Sequence, residues 1–231
     1  MGRCIELASK NIGYTYPNPL VGSVIVCDNK IIGEGSHEKY GESHAEVNAI
    51  NSVEDKRLLK NSTLYVNLEP CNHYGKTPPC TEAIINNNIK KVVIGSQDPN
   101  KIVNGSGIEK LRSSGCNVSV GIMGKECDKL NKRFFTYHKL KRPFIILKWA
   151  ETKDGFISPT KSVNILKKVN WISGENAKKL SHKWRSEEHS ILVGVQTIID
   201  DDPILTTRFV EGRSPIRFVL DPNSRIPLDS R

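Results

Sequence analysis

Short apolar runs alternate with helical patterns along the first 145 residues, and this alternation restricts the fold more than any other feature. Five runs have the length of strands and lie at 20–26, 30–36, 62–68, 91–96 and 117–123. The helical patterns begin near residues 44, 80, 107 and 125. The first two runs flank Cys27-Asp28-Asn29, which is typical of a hairpin turn. Strands alternating with helices predict an α/β layered sheet with parallel pairings.

A second part of the chain begins after the Lys-Arg-Pro sequence that ends at Pro143. It has strand-like runs at 144–151, 190–195 and 216–221, and a helical pattern at 174–188. Three strands and one helix are too few to cover both faces of an α/β core. We therefore predict two domains, 1–142 and 143–231, and expect the second one to be incomplete.

The composition describes a soluble globular protein, with 37% hydrophobic and 26% charged residues. No apolar run approaches the roughly 18 residues of a membrane span, and the first residues are too polar for a secretory signal. We expect a cytoplasmic protein that does not enter a membrane. Four cysteines lie in or beside predicted elements and are interpreted as reduced structural residues, namely Cys4, Cys27, Cys116 and Cys127.

The formal net charge of +9 indicates either nucleic acid or a phosphorylated small molecule as a partner. The positive charge is scattered, with only one short run at 139–142 and a pair at Lys167-Lys168. A solvated, lysine-rich surface accounts for this distribution better than a nucleic-acid interface does.

The residues that carry chemistry are His44, Cys71 and Cys80, together with Glu46. Catalytic zinc takes three protein ligands and keeps one position open for water, and nitrogen and sulfur donors suit the metal. Cys80 opens a predicted helix, whose dipole favours the thiolate over the thiol. The pattern therefore predicts one Zn²⁺ per chain.

Glu46 follows His44 by two residues and is predicted to be the general base and acid, not a fourth ligand. Nucleobase deaminases use this arrangement, with the signature H-x-E followed by P-C-x-x-C. Eight residues separate the cysteines here, and this loop contains His73 and Lys76. The loop argues against a plain cytidine or tRNA adenosine deaminase, and Lys76 suits a substrate phosphate. A structural zinc site with His73 as fourth ligand is the alternative.

Four segments carry a resemblance to the bifunctional riboflavin-biosynthesis deaminase–reductase family: "YPNPLVGSVIV", "GEGSHEKYGESHAEVNA", "LEPCNHYGKTPPCTEAI" and "QDPN". The likeness continues through "LKWAETKDG", "NWIS" and "DDPILTTR" and covers essentially the whole chain. It implies a cytidine-deaminase-like, three-layer domain followed by a dihydrofolate-reductase-like α/β domain.

The resemblance also implies a substrate, 2,5-diamino-6-ribosylamino-4(3H)-pyrimidinone 5′-phosphate, which loses its 2-amino group by hydrolysis. The implied substrate contacts are Asn18, His37, Lys76, Asp98 and Asn100. Without the resemblance, Asn18 and the pair in "QDPN" are equally typical of turns.

In the second domain, the resemblance implies that NADPH reduces the ribosyl group to ribityl. The implied cofactor positions are Ala150, Trp171, Thr197 and Asp201, and the substrate positions are Lys148, Arg185, Leu205 and Arg208. Val169 and Pro222 stand where the family often has serine, and a later glycine-rich cofactor loop is absent. We expect this chain alone to have little NADPH-dependent activity.

Two other functions remain open from the sequence. A deaminase acting on tRNA or a nucleoside would agree with the basic pI of about 9.2, but the low aromatic content and the loop with Lys76 argue against it. A zinc-stabilised scaffold without catalysis would bind a partner through its second domain. The unfinished sheet leaves a strand edge unpaired, and such an edge favours association, so a homo-oligomer is compatible with the sequence.

Overall fold

The computed structural model describes residues 1–157 and 171–231. The predicted loop at 158–170, including Val169, lies outside the described residues. The chain divides into two compact units, Met1–Ile145 and Ile146–Arg231, and the predicted division of functions at residue 142 stays a prediction. Within the described ranges, no helix has the length and apolarity needed to cross a membrane.

The first unit contains five strands and six α-helices. The strands are β1 (Gly22–Cys27), β2 (Lys30–Ser36), β3 (Thr63–Leu68), β4 (Lys91–Ser96) and β5 (Asn117–Val120). The helices are α1 (Gly2–Ser9), α2 (Ala45–Ser52), α3 (Cys80–Asn86), α4 (Ser106–Ser113), α5 (Gly124–Leu130) and α6 (Lys132–Leu140), and a 3-10 helix spans Lys56–Asn61. The predicted α/β class is confirmed.

The five strands form one sheet in the order β2-β1-β3-β4-β5. β3, β4 and β5 are parallel, as the alternation with helices predicted, whereas β1 is antiparallel to both β2 and β3. Helices α2, α3 and α4 contact one another on one face of the sheet, and α1 and α5 lie against the other. Gly22 allows close packing on this second face, because a Cβ there would lie 2.1 Å from the Cys4 carbonyl oxygen in α1.

The main core lies between the sheet and helices α2 to α4. Its fully buried side chains include Ile25, Leu64, Ile84, Ile94 and Leu111. β-Branched and leucine side chains from alternate strand positions meet the apolar faces of the helices there, so removal of this surface from water is the main stabilising term.

Two local features differ from the sequence-based prediction. Helix α1 was not predicted, and it buries Cys4 and Ala8 against β1. The single helix predicted from residue 125 to 140 is broken at Asn131, which has φ −94° and ψ 21°. Both polar ends of its buried side chain bind the backbone of Leu20, so a contact distant in sequence fixes this break.

The second unit contains helices α7 (Glu175–Glu187) and α8 (Val195–Asp201) and strands β6 (Ser190–Gly194) and β7 (Ile216–Leu220). β6 and β7 are parallel neighbours, and α8 follows β6 directly. The prediction of a strand at 144–151 is wrong, because these residues have no regular secondary structure. The predicted helix at 174–188 and the strands near 190 and 216 are confirmed.

Candidate active site

Four chain segments that carry predicted site residues meet at one edge of the first sheet. The ends of β3 and β4 lie side by side, since Leu68 pairs with Ser96. The start of β1 and the end of β2 lie at the same edge, since Gly22 pairs with Ser36 and the two strands are antiparallel to each other. The carboxyl ends of parallel strands are the usual place for ligand sites in such sheets.

His44, Cys71 and Cys80 come together at this edge, with their ligand atoms all within 4.8 Å of one another. His44 caps α2, Cys71 follows β3, and Cys80 is the first residue of α3. The Nδ1 atom of His44 lies 3.5 Å from Cys71 Sγ and 3.3 Å from Cys80 Sγ. A nitrogen and a sulfur bound tetrahedrally to one zinc ion lie about 3.5 Å apart, given typical Zn–N and Zn–S bond lengths. The donor set therefore fits zinc.

Neighbouring groups favour the ionised form of one of the two thiols, which is the form that a metal requires. The pKa of the Cys71 thiol falls to about 4, because the Cys80 side chain, His44 and the Cys80 backbone N–H all hydrogen-bond to it. The same hydrogen bond with Cys71 raises the pKa of the Cys80 thiol. The two thiols thus share a proton, which a cation between them would displace. His73, proposed as an alternative fourth ligand, is exposed and does not belong to this group.

Glu46 lies in the first turn of α2, two residues after His44, and only 3% of its surface is exposed. Burial raises the pKa of this carboxyl group to about 6, and the negative charge of Cys71 adds to the shift. A carboxyl group with a pKa near neutrality both accepts and returns protons readily. Its position agrees with the proton-transfer role proposed from the sequence.

A cavity of about 470 Å³ opens beside these four residues. Its lining includes every residue that was predicted to contact the pyrimidine substrate, namely Asn18, His37, Lys76, Asp98 and Asn100. Burial raises the pKa of Asp98 to about 6, although the backbone N–H of Asn100 donates a 2.7 Å hydrogen bond to its carboxylate. The structure thus gathers the predicted deaminase residues around one space.

His37 is bound at both ring nitrogens by the protein. Its Nδ1 lies 3.1 Å from the carbonyl oxygen of Ser43 and therefore carries the proton. Its Nε2 is then the acceptor for the side-chain amide of Asn18, at 3.0 Å. This bond orients the amide of Asn18 and leaves its oxygen available as an acceptor.

The loop between Cys71 and Cys80 places Lys76 at the mouth of the cavity. The Nζ atom of Lys76 lies 4.0 Å from the ring centroid of Tyr40, so the cation is held by the face of the aromatic ring. Tyr40 belongs to the segment between β2 and α2, and no function was predicted for it.

Other residues that organise the site were not identified from the sequence. Glu69 lines the cavity and accepts four backbone hydrogen bonds, and buried Asn67 and Asn131 bind the backbone beside Asn18. The sequence signal that could have identified Glu69 is its position directly before Pro70-Cys71 at the end of a strand. Asn67 and Asn131 offered no local signal.

In the second unit, Arg185 and Arg208 both lie beside buried His182. A guanidinium nitrogen of Arg185 lies 3.3 Å from His182 Nε2, and the backbone N–H of Arg208 donates to His182 Nδ1. Leu205 precedes Arg208 by three residues and is buried. Its φ of 58° is rare for a non-glycine residue. These three predicted substrate residues therefore belong to one structured region.

The remaining residues predicted for the reductase half are placed separately. Trp171 is 61% exposed and lies under the Nζ atom of Lys178, at 3.6 Å. Thr197 and Asp201 are on α8. Lys148 and Ala150 lie in the irregular segment that begins this unit, and Pro222 follows β7 in an exposed turn.

A His/Cys/Cys donor set with a buried glutamate, at the edge of a sheet covered by helices on both faces, defines the class of zinc-dependent nucleobase deaminases. Two family models match the chain. The cytidine and deoxycytidylate deaminase zinc-binding region matches residues 1–96, and the RibD C-terminal domain matches residues 143–231.

Similar proteins agree with this class. Riboflavin biosynthesis protein RibD of Aquifex aeolicus is 47% identical over 232 residues, which cover 100% of this chain and 63% of that protein. The diaminohydroxyphosphoribosylamino-pyrimidine deaminase of Buchnera aphidicola is 54% identical over 135 residues, or 58% of this chain and 90% of that protein. The chain thus spans somewhat less than two thirds of the RibD relative.

A solved structure from Thermotoga maritima, a diaminohydroxyphosphoribosylaminopyrimidine deaminase/5-amino-6-(5-phosphoribosylamino)uracil reductase, superposes with a TM-score of 0.87 and 45% identity. The alignment covers 96% of this chain and 62% of that one. The chain belongs to the same family as the Buchnera deaminase and the RibD proteins. The family resemblance predicted from the sequence is confirmed, as are the two domain types it implied.

Proposed function

We propose that the first unit hydrolyses the 2-amino group of 2,5-diamino-6-ribosylamino-4(3H)-pyrimidinone 5′-phosphate and releases ammonia. The observation that carries this proposal is that Glu46, His44 and Cys71 line the same cavity as Lys76. The ligand atom of Cys80 lies within 4.8 Å of those of His44 and Cys71. The Buchnera relative, of which this chain covers 90%, is named as a deaminase of this kind and supports the same reaction.

His44, Cys71 and Cys80 would hold one zinc ion through Nδ1 and two thiolates. Bound there, zinc supplies a water of pKa about 7 and thus a nucleophile at neutral pH. The three ligands come from two helix starts and the end of a strand, so the sheet fixes their spacing before any ion binds.

Glu46 would take the proton from the water as its oxygen attacks C2 of the pyrimidine ring. The carboxyl group would then give this proton to the adjacent ring nitrogen. In the second half of the reaction, Glu46 would take the proton of the new hydroxyl group on C2 and transfer it to the 2-amino group, which leaves as ammonia while C2 becomes a carbonyl carbon. A pKa of about 6 suits these transfers, because the carboxyl group is mostly ionised at neutral pH and can accept a proton, and it holds that proton more firmly than an ordinary carboxylate does.

Polar residues around the cavity would select the substrate. Lys76, supported by Tyr40, would bind the phosphate as a point charge. Asn18, Asp98 and Asn100 would bind the ring and ribose through hydrogen bonds. We assign His37 an indirect role, because both its ring nitrogens already bind Ser43 and Asn18.

The second unit would bind NADPH and the deaminated product, in agreement with its match to the RibD C-terminal domain. Arg185 and Arg208 would contact the substrate phosphate, and Leu205 would line the same site. Ala150, Trp171, Thr197 and Asp201 would contact the cofactor, and Lys148 the substrate. Homo-oligomer formation and a cytoplasmic location stay predictions.

The proposal is tested by measuring ammonia release from the pyrimidine phosphate, with zinc content determined on the same sample. Glu46→Gln should reduce turnover by at least about a hundredfold with one zinc still bound, since it removes the proton carrier and keeps the shape. Glu54→Gln, an exposed glutamate just beyond the end of the same helix, is the control and should leave the rate unchanged. Chelation should abolish the activity, and added zinc should restore it.

Wild-type protein that binds zinc but releases no ammonia from this substrate would refute the proposal. Adding tRNA as a competitor to the same assay distinguishes this proposal from the alternative of a nucleic-acid deaminase. That alternative requires tRNA to inhibit with a steep dependence on salt, as expected for phosphate contacts. We expect no inhibition at physiological salt.

A further inference from the structure

Glu69 has an unusual set of partners for a buried carboxylate. Only 4% of the residue is exposed, and both of its carboxylate oxygens accept hydrogen bonds from backbone N–H groups. Oε1 accepts from Gly107 and Ile108, at 3.0 and 3.3 Å. Oε2 accepts from Asp98 and Gly105, at 3.1 and 3.0 Å. All four donors belong to one segment, 98–108, which follows β4.

Three of these donors form the amino end of helix α4. Gly105 caps this helix, and Gly107 and Ile108 lie in its first turn. The first N–H groups of a helix have no partner within it and attract negative charge. Glu69 therefore caps α4 from another strand, where a serine or aspartate at the cap position would ordinarily serve.

The fourth donor connects Glu69 to the cavity. The backbone N–H of Asp98 binds Glu69, and the side chain of Asp98 accepts in turn from the N–H of Asn100. Asp98, Asn100 and Val103 line the cavity, as Glu69 itself does. The carboxylate thus fixes both ends of the segment whose middle faces the substrate.

Backbone packing reinforces this arrangement from the other side. A Cβ at Gly107 would lie 2.0 Å from the carbonyl oxygen of Pro70, so α4 begins directly against the residue between Glu69 and Cys71. The position of segment 98–108 is therefore set relative to the strand end that supplies Cys71.

Glu69 and Glu46 have different chemical capacities. Each oxygen of Glu69 already receives two N–H donors, so Glu69 offers little capacity to bind a metal. Glu46 lies beside the thiols and His44 instead. Glu69 also lies outside the group of residues whose ligand atoms cluster for a metal.

We propose that Glu69 is a positioning residue for the deaminase substrate: through four backbone hydrogen bonds it holds segment 98–108 so that Asp98 and Asn100 face the cavity. This inference rests on the proposed function for the identity of the substrate. The hydrogen bonds themselves and their effect on the segment do not depend on it.

Glu69→Gln tests the proposal with little change of shape. Whichever way the amide turns, its NH₂ group faces two N–H donors, so two of the four hydrogen bonds are lost and the segment must move. We expect KM for the pyrimidine phosphate to rise about tenfold or more, while kcat changes less than about threefold and one zinc per chain is retained. Glu109→Gln, an exposed glutamate in the first turn of the same helix, is the matched control and should leave KM unchanged.

Two results would overturn the proposal. An unchanged KM with a lowered melting temperature would make Glu69 a purely structural residue. Loss of zinc in parallel with activity would show that Glu69 acts through Cys71 and not through segment 98–108. If Glu69→Gln does not fold, Gly105→Ala decides, because φ of 92° at this donor strains any residue with a Cβ. A KM raised a few-fold supports the proposal, and an unchanged KM refutes it.

Hydrogen exchange separates this inference from the proposed function. In Glu69→Gln, the amides of Asp98, Gly105, Gly107 and Ile108 should exchange faster, while those of β3 stay protected. Wild-type protein without deaminase activity would refute the proposed function alone. Unchanged exchange at these four amides would refute the positioning role alone.

Discussion

Two buried asparagines hold the backbone beside Asn18, and their removal should have a non-additive effect on stability. Asn131 accepts from the N–H of Leu20 at 2.8 Å and donates to its carbonyl oxygen at 2.9 Å. Asn67 donates to the same carbonyl oxygen at 2.9 Å and accepts from the N–H of Gly22 at 2.7 Å. The Leu20 carbonyl therefore has two donors, while each N–H has the one asparagine acceptor.

The expected magnitudes follow from counting the groups left unpaired. Asn131→Ala leaves the N–H of Leu20 without this acceptor, and Asn67→Ala does the same to the N–H of Gly22. Each should lower the free energy of unfolding by about 1–3 kcal/mol, the usual cost of an unsatisfied buried group. Each single variant keeps one donor on the Leu20 carbonyl. The double variant removes both, so its loss should exceed the sum of the single losses by a further amount of about 1–3 kcal/mol.

The measurement must report on the unfolding of the first unit. Tryptophan fluorescence does not serve for this purpose, because all three tryptophans belong to the second unit, at positions 149, 171 and 184. Hydrogen exchange of β1 and β3 amides as a function of urea gives that free energy directly. Asn87→Ala is the control. The carbonyl oxygen of Ala83 accepts from both the side chain and the backbone N–H of Asn87, so it still has a donor when the side chain is removed. This variant should lower the free energy of unfolding by less than about 1 kcal/mol. Strict additivity of Asn67→Ala and Asn131→Ala would refute the shared-carbonyl argument.

Two further predictions concern the cavity and the second unit. Tyr40→Leu should raise KM for the phosphorylated substrate about two- to fivefold in steady-state kinetics, because it removes the cation–π contact with Lys76. Tyr40→Phe keeps the aromatic ring and should leave KM unchanged. Equal effects of the two substitutions on KM would contradict this reasoning. Burial lowers the pKa of His182 below its ordinary 6.5. The unfolded chain then binds a proton that the folded unit does not, so stability is lost as the pH falls below about 6.5. The urea midpoint by tryptophan fluorescence should decrease from pH 8 to pH 5, and His182→Gln should flatten this dependence; an unchanged slope would exclude His182 as the cause.

Features with local signatures could be placed from the sequence. A helix start leaves a pattern within a few positions, so the start of α2 at His44 and the start of α3 at Cys80 were predicted from neighbouring residues. The alternation of apolar runs gave all five strands of the first sheet, because a buried strand needs only a short continuous apolar segment. Helix α1 was missed because its short, partly polar sequence is stabilised by packing against β1.

Contacts between distant segments had no such signature. The run at 144–151 is apolar enough for a strand, yet hydrogen bonding to a neighbour decides whether a strand forms, and these residues have no regular structure. Asn131 breaks a well-patterned helix because its side chain binds Leu20, 111 positions away. Tyr40 meets Lys76 only because two loops approach each other.

By itself, the sequence determined the α/β class of the first unit, the residue types suited to zinc and the carboxyl group that lies beside them, since each depends on short-range spacing. Only the tertiary structure decided which strand ends meet at one edge, which nitrogen of His44 faces the sulfurs, and that Glu69 caps a helix 36 to 39 residues further along the chain. The physical reason is that a buried polar group takes whichever partner the packed chain brings to it, and the order of residues does not record that choice.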